Sequence, residues 1–159
     1  MRSSKSTVPN PRATALRLLT SRDRSEAELT QKMLQLGFSA EQAEDARKYC
    51  LEFGYLNDQR YALERTRMLM RNGRGVGTKI LYDLRKRGID EQYAQAALEQ
   101  ASEEFDTFEL LKQQLERKFP GFNYRRSEEK LKRRVVSYFQ RRGYHLDQIF
   151  SVLNTHQEN

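Results

Sequence analysis

A pattern of three apolar residues and one glycine occurs three times along the chain. Two apolar residues four positions apart are followed, four positions later, by a glycine and then directly by a third apolar residue. Apolar side chains four positions apart lie on one face of an α-helix, so each copy predicts the end of an amphipathic helix. The copies recur about every 50 residues, as in a repeat protein. They consist of Leu29, Met33, Gly37 and Phe38; Ile80, Leu84, Gly88 and Ile89; and Val135, Phe139, Gly143 and Tyr144.

The glycine of each copy predicts how its helix ends. Glycine adopts the left-handed backbone conformation at little cost and is the usual C′ residue of a helix that closes in a Schellman motif. In that motif the apolar residue after the glycine contacts an apolar residue in the last turn, as Phe38 would contact Met33. We therefore expect a helix-closing role for Gly37, Gly54, Gly88 and Gly143.

Residues with strong capping preferences stand before the predicted helices. Asn10 precedes Pro11, a combination that favours a helix start. Ser25 and Ser39 each stand three positions before a Glu or Gln, which is the sequence of a capping box. No segment alternates apolar and polar residues in the manner of a β-strand. The predicted N-terminal residues of the helices are Asn10, Ser25, Ser39, Asn57, Asp90, Asp106 and Ser127.

These signals predict an all-α fold of three tandem three-helix repeats. Repeats that stack on their neighbours form elongated, curved arrays, and we expect that arrangement. The first helix of the second repeat is expected to fray at Asn72 and Gly73, and Phe53 is expected on the buried face of the helix before it. The predicted divisions are a flexible arm at 1–10, repeats at 11–54, 55–104 and 105–154, and a tail at 155–159.

Composition narrows the class of protein. Charged residues make up 32% of the sequence and hydrophobic residues 37%, which predicts thin cores and a large hydrated surface. No apolar segment is long enough to span a membrane, and the polar N-terminus lacks the apolar region of a secretory signal. The single cysteine, Cys50, cannot form an internal disulfide and fits a reducing compartment. We expect a cytoplasmic, monomeric protein without membrane contact.

The net charge is +7, and charges of one sign are grouped along the chain. A surface that serves only solubility normally mixes both signs, so the grouping favours a binding surface for nucleic acid or an acidic protein groove. A purely hydrated face is the alternative. Residues 60–88 carry basic side chains, and the only acidic residues among them are Glu64 and Asp83. Residues 90–111 carry acidic side chains and no Lys or Arg. Residues 117–142 are basic again, and their only acidic residues are Glu128 and Glu129.

Residues suited to catalysis are few. The only histidines are His145 and His156, and no Cys and His residues have the spacing of a metal site. Cys50 lies on the apolar face of its helix, where a packing thiol is the simpler interpretation. The segment from Gly73 to Lys79 lacks a glycine before the lysine and a preceding strand, so it does not match a phosphate-binding loop. The sequence predicts no enzymatic activity, no metal and no cofactor.

Two further features have alternative interpretations. Gly73, Gly75 and Gly77 form either a flexible turn between helices or a backbone that must come close to a partner or phosphate. Tyr82 and Tyr138 either pack beside core positions or stack on nucleic-acid bases.

Three segments resemble the RecX family of bacterial recombination regulators. They are residues 54–62 (GYLNDQRYA), the glycine and apolar positions of 75–89 (GxGxxIxxxLxxxGI) and residues 139–144 (FQRRGY). Asn57 stands where the family often has Asp, a conservative change at an N-cap, and Tyr61 stands in place of Phe. The similarity extends from Ala13 to Leu153.

The resemblance implies three tandem three-helix repeats, in agreement with the capping pattern. It also implies a non-enzymatic regulator of the RecA recombinase, active in homologous recombination, DNA repair and the SOS response. Family members lie in the helical groove of the filament that RecA forms on single-stranded DNA. There they limit filament growth and depress its ATPase, strand-exchange and coprotease activities.

The partners implied are the RecA filament and single-stranded DNA, with double-stranded DNA as a second nucleic-acid candidate. A stand-alone protein that acts by occupying single- or double-stranded DNA is the alternative function, and a helical adaptor for an unrelated acidic protein is a third. In each, basic side chains dock the protein electrostatically. The expected contacts are Arg60, Arg67, Arg71, Arg74, Lys79, Arg85 and Arg87 in the second repeat, and Lys132, Arg133, Arg141 and Arg142 in the third.

Overall fold

The computed structural model describes residues 9–155, and within that range the chain is all-α, as predicted, with no β-strand. Thr155 is the last helical residue, while residues 1–8 of the predicted arm and 156–159 of the predicted tail lie outside the described residues. The helices are α1 (Pro11–Ser21), α2 (Glu26–Gln35), α3 (Ala40–Glu52), α4 (Asp58–Arg71), α5 (Thr78–Lys86), α6 (Glu91–Glu104), α7 (Thr107–Lys118), α8 (Glu129–Arg141) and α9 (Leu146–Thr155).

Most of these helices begin at a residue whose side chain caps the first turn. The side chain of Asn10 accepts hydrogen bonds at the start of α1, and Ser25 and Ser39 form complete capping boxes at α2 and α3. The start of α8 differs from the prediction: its N-cap is Glu128, which makes no side-chain cap, and Ser127 donates instead to the carbonyl of Asn123 at 2.6 Å. The hydroxyl of Ser127 is therefore used by the preceding turn.

Left-handed glycines close several helices. At the end of α2, Gly37 has φ of 95°, and the amide of Phe38 donates to the carbonyl of Met33 at 3.2 Å. At the end of α8, Gly143 has φ of 99°, and the amide of Tyr144 donates to the carbonyl of Phe139 at 3.2 Å. These are Schellman bonds, and they satisfy carbonyls that the helix itself leaves without a donor. Positive φ is also found at Gly54 and Gly88.

Helix α4 ends at Arg71, directly before Asn72 and Gly73, where the sequence predicted its end. A Schellman bond closes it: Gly73 has φ of 66°, and the amide of Arg74 donates to the carbonyl of Leu69 at 2.8 Å. The expectation that Phe53 is buried was wrong. Phe53 is 57% exposed, because it caps the end of α3 and packs on the ring of Tyr49 at the surface, with ring centroids 4.8 Å apart.

Contacts divide the described chain into two compact units, one of residues up to 61 with 87–89 and one of 62–86 with 90 onwards. In the first unit α1, α2 and α3 pack together around a core that includes Leu29, Met33 and Cys50. In the second unit α5 packs on α6, and α9 packs on α7 and α8. The three repeat boundaries drawn from the sequence stay a prediction.

Within the first unit, the start of α2 is fixed by residues from further along the chain. The buried hydroxyl of Ser25 donates to the carbonyl of Arg87 at 2.5 Å, and the amide of Glu26 donates to the carboxylate of Asp58 at 2.9 Å. A side chain on Gly88 would overlap the Cβ of Ala27. The N-terminal amides of α2 are therefore satisfied both by its own cap and by the first residue of α4.

Candidate partner-binding surface

Arg67, one of the predicted contact residues, is held between two carboxylates. Its guanidinium donates to Glu104 on α6 at 2.6 Å and to Glu64 on α4 at 2.8 Å. The hydrogen bond from Arg67 holds the pKa of Glu104 below its ordinary value. The charge of Arg67 is thus offset within the protein, and its side chain links α4 to α6.

Arg85 and Lys132 also have carboxylate partners. Arg85 lies 3.3 Å from Glu91, and both side chains are more than half exposed. Exposed pairs of this kind contribute little, so the charge of Arg85 remains accessible to a partner. Lys132 lies 3.2 Å from Glu129, and its ammonium stands 4.8 Å from the centroid of the Tyr124 ring. Lys132 is therefore a packed side chain as well as a charged one.

Arg87 belongs to a network in the first unit. Its guanidinium contacts Glu28 at 3.2 Å and lies 3.5 Å from the hydroxyl of Tyr61. Burial opposes ionisation of Glu28, yet hydrogen bonds from Tyr61 and from the amide of Ser25, together with the charges of Arg22 and Arg87, hold its pKa below the ordinary value. The charge of Arg87 therefore stabilises this carboxylate.

The remaining predicted contacts form no ion pair with any carboxylate of residues 9–155. Arg60 donates to the carbonyl of Gly54 at 3.3 Å. The guanidinium of Arg142 lies over the ring of Tyr138, 3.5 Å from its centroid, and donates to the carbonyl of the same residue at 3.3 Å. Exposed cations without a local counter-ion are available to neutralise an external anion. They are Arg60, Arg74, Lys79, Arg133 and Arg141, with Arg142 half-buried. Arg71 is also exposed and forms no ion pair, but its charge helps to lower the pKa of Glu104.

The second unit brings cations of the second and third repeats together. The amide of Val76 donates to the carbonyl of Arg142 at 2.8 Å. A Cβ on Gly143 would overlap the carbonyl of Val76 and would stand 3.0 Å from the Cβ of Lys79. The turn 73–77 therefore rests directly on the end of α8. We call this place the basic junction; its cations are Arg74, Lys79, Arg141 and Arg142.

This contact gives the glycine-rich turn a role that differs from both interpretations drawn from the sequence. Gly75 and Val76 are buried, and a Cβ on Gly73 would overlap the side chain of Gln114, itself buried. The backbone comes close to a neighbour, and that neighbour is the protein itself. The turn is thus a packing element, and the groups available to bind a partner are the cations beside it.

An open cleft of about 470 Å³ lies at the end of α8. Burial raises the pKa of Tyr144, one of its lining residues, to about 12. The phenol therefore keeps its proton at neutral pH and offers a hydrogen-bonding group, not a base. The cleft is lined by Thr78, Gln140, Gly143, Tyr144, His145, Leu146 and Asp147.

The two candidate stacking tyrosines have different surroundings. Tyr138 packs edge-to-face on Phe119, with centroids 5.3 Å apart, and carries Arg142 on its ring. It is a packing residue. Tyr82 is 55% exposed, because α5 buries Ile80 and Leu84 on its opposite side.

Lys86, which was not among the predicted contacts, places its ammonium 5.4 Å from the centroid of the Tyr82 ring. Helical spacing was the signal that could have found it, since Lys79, Tyr82 and Lys86 fall three and four positions apart.

Other kinds of site were sought in the same residues. Between residues 9 and 155, no group of three or more His, Cys, Asp or Glu side chains is arranged to hold a metal ion. None of the helices in that range is both long and apolar enough to cross a membrane. Burial raises the pKa of Cys50, so its thiol is less easily ionised than an exposed one.

Comparison with protein families matches three consecutive domains. The first three-helix domain of RecX matches residues 12–50, the second matches 57–98 and the third matches 104–153. The prediction of three three-helix repeats is thereby confirmed.

Curated relatives are similar over most of their length. The "Regulatory protein RecX" of Syntrophotalea carbinolica is 39% identical, over 83% of this chain and 86% of the relative. That of Trichlorobacter lovleyi is 37% identical over 85% and 88%, and that of Vibrio parahaemolyticus is 35% identical over 91% and 90%. These relatives are named as regulatory proteins, not as enzymes.

Solved structures share the fold. A crystal structure of RecX from Lactobacillus salivarius matches with a TM-score of 0.69 and 22% identity, over 91% of this chain and 93% of that one. A second crystal structure, of a regulatory protein RecX, matches with a TM-score of 0.72 and 22% identity, over 91% and 73%.

Proposed function

Because the chain belongs to the RecX family of regulatory proteins, we propose that it regulates the RecA recombinase and catalyses no reaction itself. It binds as a monomer in the groove of the filament that RecA forms on single-stranded DNA. There it inhibits filament growth, ATPase, strand exchange and coprotease activity. It acts in the bacterial cytoplasm, in homologous recombination and DNA repair.

The observation that carries this proposal is the basic junction. Arg74 and Lys79 come from the second repeat and Arg141 from the third, yet the hydrogen bond from Val76 to Arg142 holds their segments side by side. None of the three pairs with a carboxylate among the described residues. Grouped, exposed cations dock a protein on a surface rich in phosphate and acidic side chains. Arg67 and Arg87, which have internal partners, are expected to contribute less.

The proposal is tested by the ATPase activity of RecA on single-stranded DNA. We expect this protein to lower the ATPase rate when it is present in smaller amounts than RecA, because a protein that limits filament growth acts on many RecA subunits at once. Bovine serum albumin at the same concentrations is the control. An ATPase rate that stays constant at every ratio of the two proteins would show the proposal to be wrong.

The alternative is a stand-alone DNA-binding protein, which the net charge of +7 favours. It predicts tight binding to bare DNA at physiological salt and inhibition that disappears when DNA is in excess over both proteins. Capture of RecA from a nuclease-treated extract separates the two functions. RecA retained without nucleic acid supports the regulator and contradicts the alternative, whereas inhibition that disappears when DNA is in excess supports the alternative.

A further inference from the structure

The exposed face of α5 combines one aromatic ring with several cations. At 100° per residue, Lys79, Tyr82, Arg85 and Lys86 fall on one side of this helix, and Ile80 falls on the other. The burial agrees, since all four are exposed and Ile80 is fully buried. The ring of Tyr82 thus stands in the middle of a cationic face.

Two carboxylates that flank this face have arginine partners. Asp83, the one carboxylate of α5, accepts two hydrogen bonds from Arg65, at 2.5 and 3.0 Å. Glu91, after the end of the helix, lies 3.3 Å from Arg85. What α5 offers to solvent is therefore a positive potential around an aromatic ring, and the matching ligand is a chain of anions that also carries flat, apolar surfaces.

Tyr82, like Tyr55, Tyr61 and Tyr93, has no aromatic neighbour among residues 9–155, and it is the most exposed of these four. Tyr49, Tyr124 and Tyr138 each have a ring partner within 6.0 Å, and Tyr144 is buried against Phe139. The ammonium of Lys86, on a flexible stem, lies 5.4 Å from the centroid of the Tyr82 ring. Lys86 can move aside to meet a phosphate and leave the ring face open.

We propose that Tyr82 is a stacking platform for an unpaired base of single-stranded nucleic acid, with Lys79 and Lys86 on the phosphates that flank that base. The inference rests on the proposed function, since it names a contact for the single-stranded DNA of the filament. Stacking on an aromatic ring suits any base, so the site reads no sequence. It needs a base that is out of its duplex stack, and so it distinguishes single strands from double strands.

The test measures the affinity of the full chain for a fluorescent oligothymidylate, by anisotropy at low salt. Tyr82→Ala is expected to weaken binding about 5- to 100-fold, the range found for loss of one base–aromatic stack. Tyr82→Phe keeps the ring and should stay within about twofold of the unaltered protein. Tyr93→Ala on α6 is the matched control, because Tyr93 is also exposed (41%) but lies in the acidic segment.

A duplex of the same length separates stacking from charge. Tyr82→Ala should leave duplex affinity unchanged, whereas Lys79→Gln with Lys86→Gln should lower affinity for both forms, because phosphates are present in both. Equal losses on single strand and duplex for Tyr82→Ala would overturn the platform. So would an unchanged affinity for the single strand, or a failure of the unaltered protein to bind it.

A second readout uses the absence of tryptophan from the sequence. Tyr82→Trp introduces a single indole, whose fluorescence should be quenched when oligothymidylate is added, while Tyr93→Trp should not be quenched.

Inhibition of RecA separates this proposal from the proposed function. If Tyr82→Ala leaves nucleic-acid binding intact but weakens inhibition of RecA, Tyr82 contacts protein; the stacking proposal is then wrong and the regulatory function stands. If the ATPase rate of RecA never responds to this protein but Tyr82→Ala still weakens binding to oligothymidylate, the regulatory function is wrong and the stacking proposal stands.

Discussion

Gly88 is constrained in two ways, by its backbone and by its neighbour. Its φ of 77° is one that side-chain-bearing residues rarely adopt, and a Cβ there would overlap the Cβ of Ala27. The Cβ of Ala27 is attached to the backbone of α2 and cannot rotate away. Gly37 has the same kind of backbone, with φ of 95°, but open space where its side chain would stand. A comparison of substitutions at the two glycines therefore separates the free-energy cost of the left-handed backbone from the cost of the contact with Ala27.

We expect Gly88→Val to lower the free energy of unfolding by more than about 1–2 kcal/mol, which is the backbone cost of a left-handed position alone. Gly37→Val, the matched control, should lower it by about that backbone cost. Thermal and urea unfolding followed by circular dichroism measure both. Equal losses for the two variants would mean that Ala27 moves to accommodate a side chain at position 88. An unchanged stability of the Gly88 variant would refute its helix-closing role.

At the scale of the helices, Ser25 and Ser39 form the same capping motif but make different numbers of hydrogen bonds. Both cap a helix with a reciprocal box, and the sequence around each indicated it. Ser39 is exposed and has no further role among the described contacts. Ser25 is fully buried, and its hydroxyl also donates to the carbonyl of Arg87. Its single hydroxyl satisfies one backbone amide and one backbone carbonyl at the same time.

Ser39→Ala should lower the free energy of unfolding by about 1 kcal/mol, the usual cost of a lost N-cap. Ser25→Ala should lower it by about 2–4 kcal/mol, because it also removes the hydrogen bond to the partly buried carbonyl of Arg87. Urea unfolding of the two variants under the same conditions measures the difference. Equal costs would show that the hydrogen bond from Ser25 to Arg87 adds nothing to stability.

The helices themselves could be predicted because their signals are local. Caps such as Asn10 and closing glycines such as Gly37 act within one turn of the helix they bound. The error at Phe53 has the same origin, since periodicity places a residue on a face but does not show where the neighbouring helix ends. The error at Ser127 arose because a hydroxyl has two local uses, as a cap or in the preceding turn.

The site could be predicted only in part, because pairing depends on tertiary register. The sequence showed that Arg67 is basic but not that Glu104, far along the chain, would meet it at 2.6 Å. It suggested close approach at Gly73 but not that Gln114 would be the neighbour. The grouping of charges can be seen along the sequence, whereas the partner that offsets each charge is fixed only by the three-dimensional fold.

At the scale of the whole molecule, the sign of charge changes from segment to segment, and the net charge is +7. Cations that have internal partners, such as Arg67 and Arg87, serve the fold. Arg74, Lys79 and Arg141 of the basic junction have no carboxylate partner among the described residues and serve long-range attraction. Such attraction is screened by salt, since the Debye length falls to about 8 Å at physiological ionic strength.

We therefore expect binding to RecA filaments on single-stranded DNA to weaken steeply as salt rises. Lys79→Gln with Arg141→Gln should raise the concentration needed for half-saturation about tenfold at low salt and make the salt dependence shallower. Arg17→Gln with Lys48→Gln removes the same charge from exposed positions on α1 and α3, and is the control. Co-sedimentation across a salt series measures both. Equal effects of the two double variants would mean that net charge, not the basic junction, attracts the filament.

The hydrogen bond from Val76 to Arg142 makes the amide proton of Val76 a reporter of the contact between the turn 73–77 and the end of α8. That proton belongs to a buried residue outside any helix, so it exchanges with deuterium only when the turn 73–77 leaves the end of α8. Its exchange rate therefore measures how often the second and third repeats separate at this point, independently of helix unfolding. A ligand that spans both sides of the turn would slow this exchange, and one that rests on a single side would leave it unaltered.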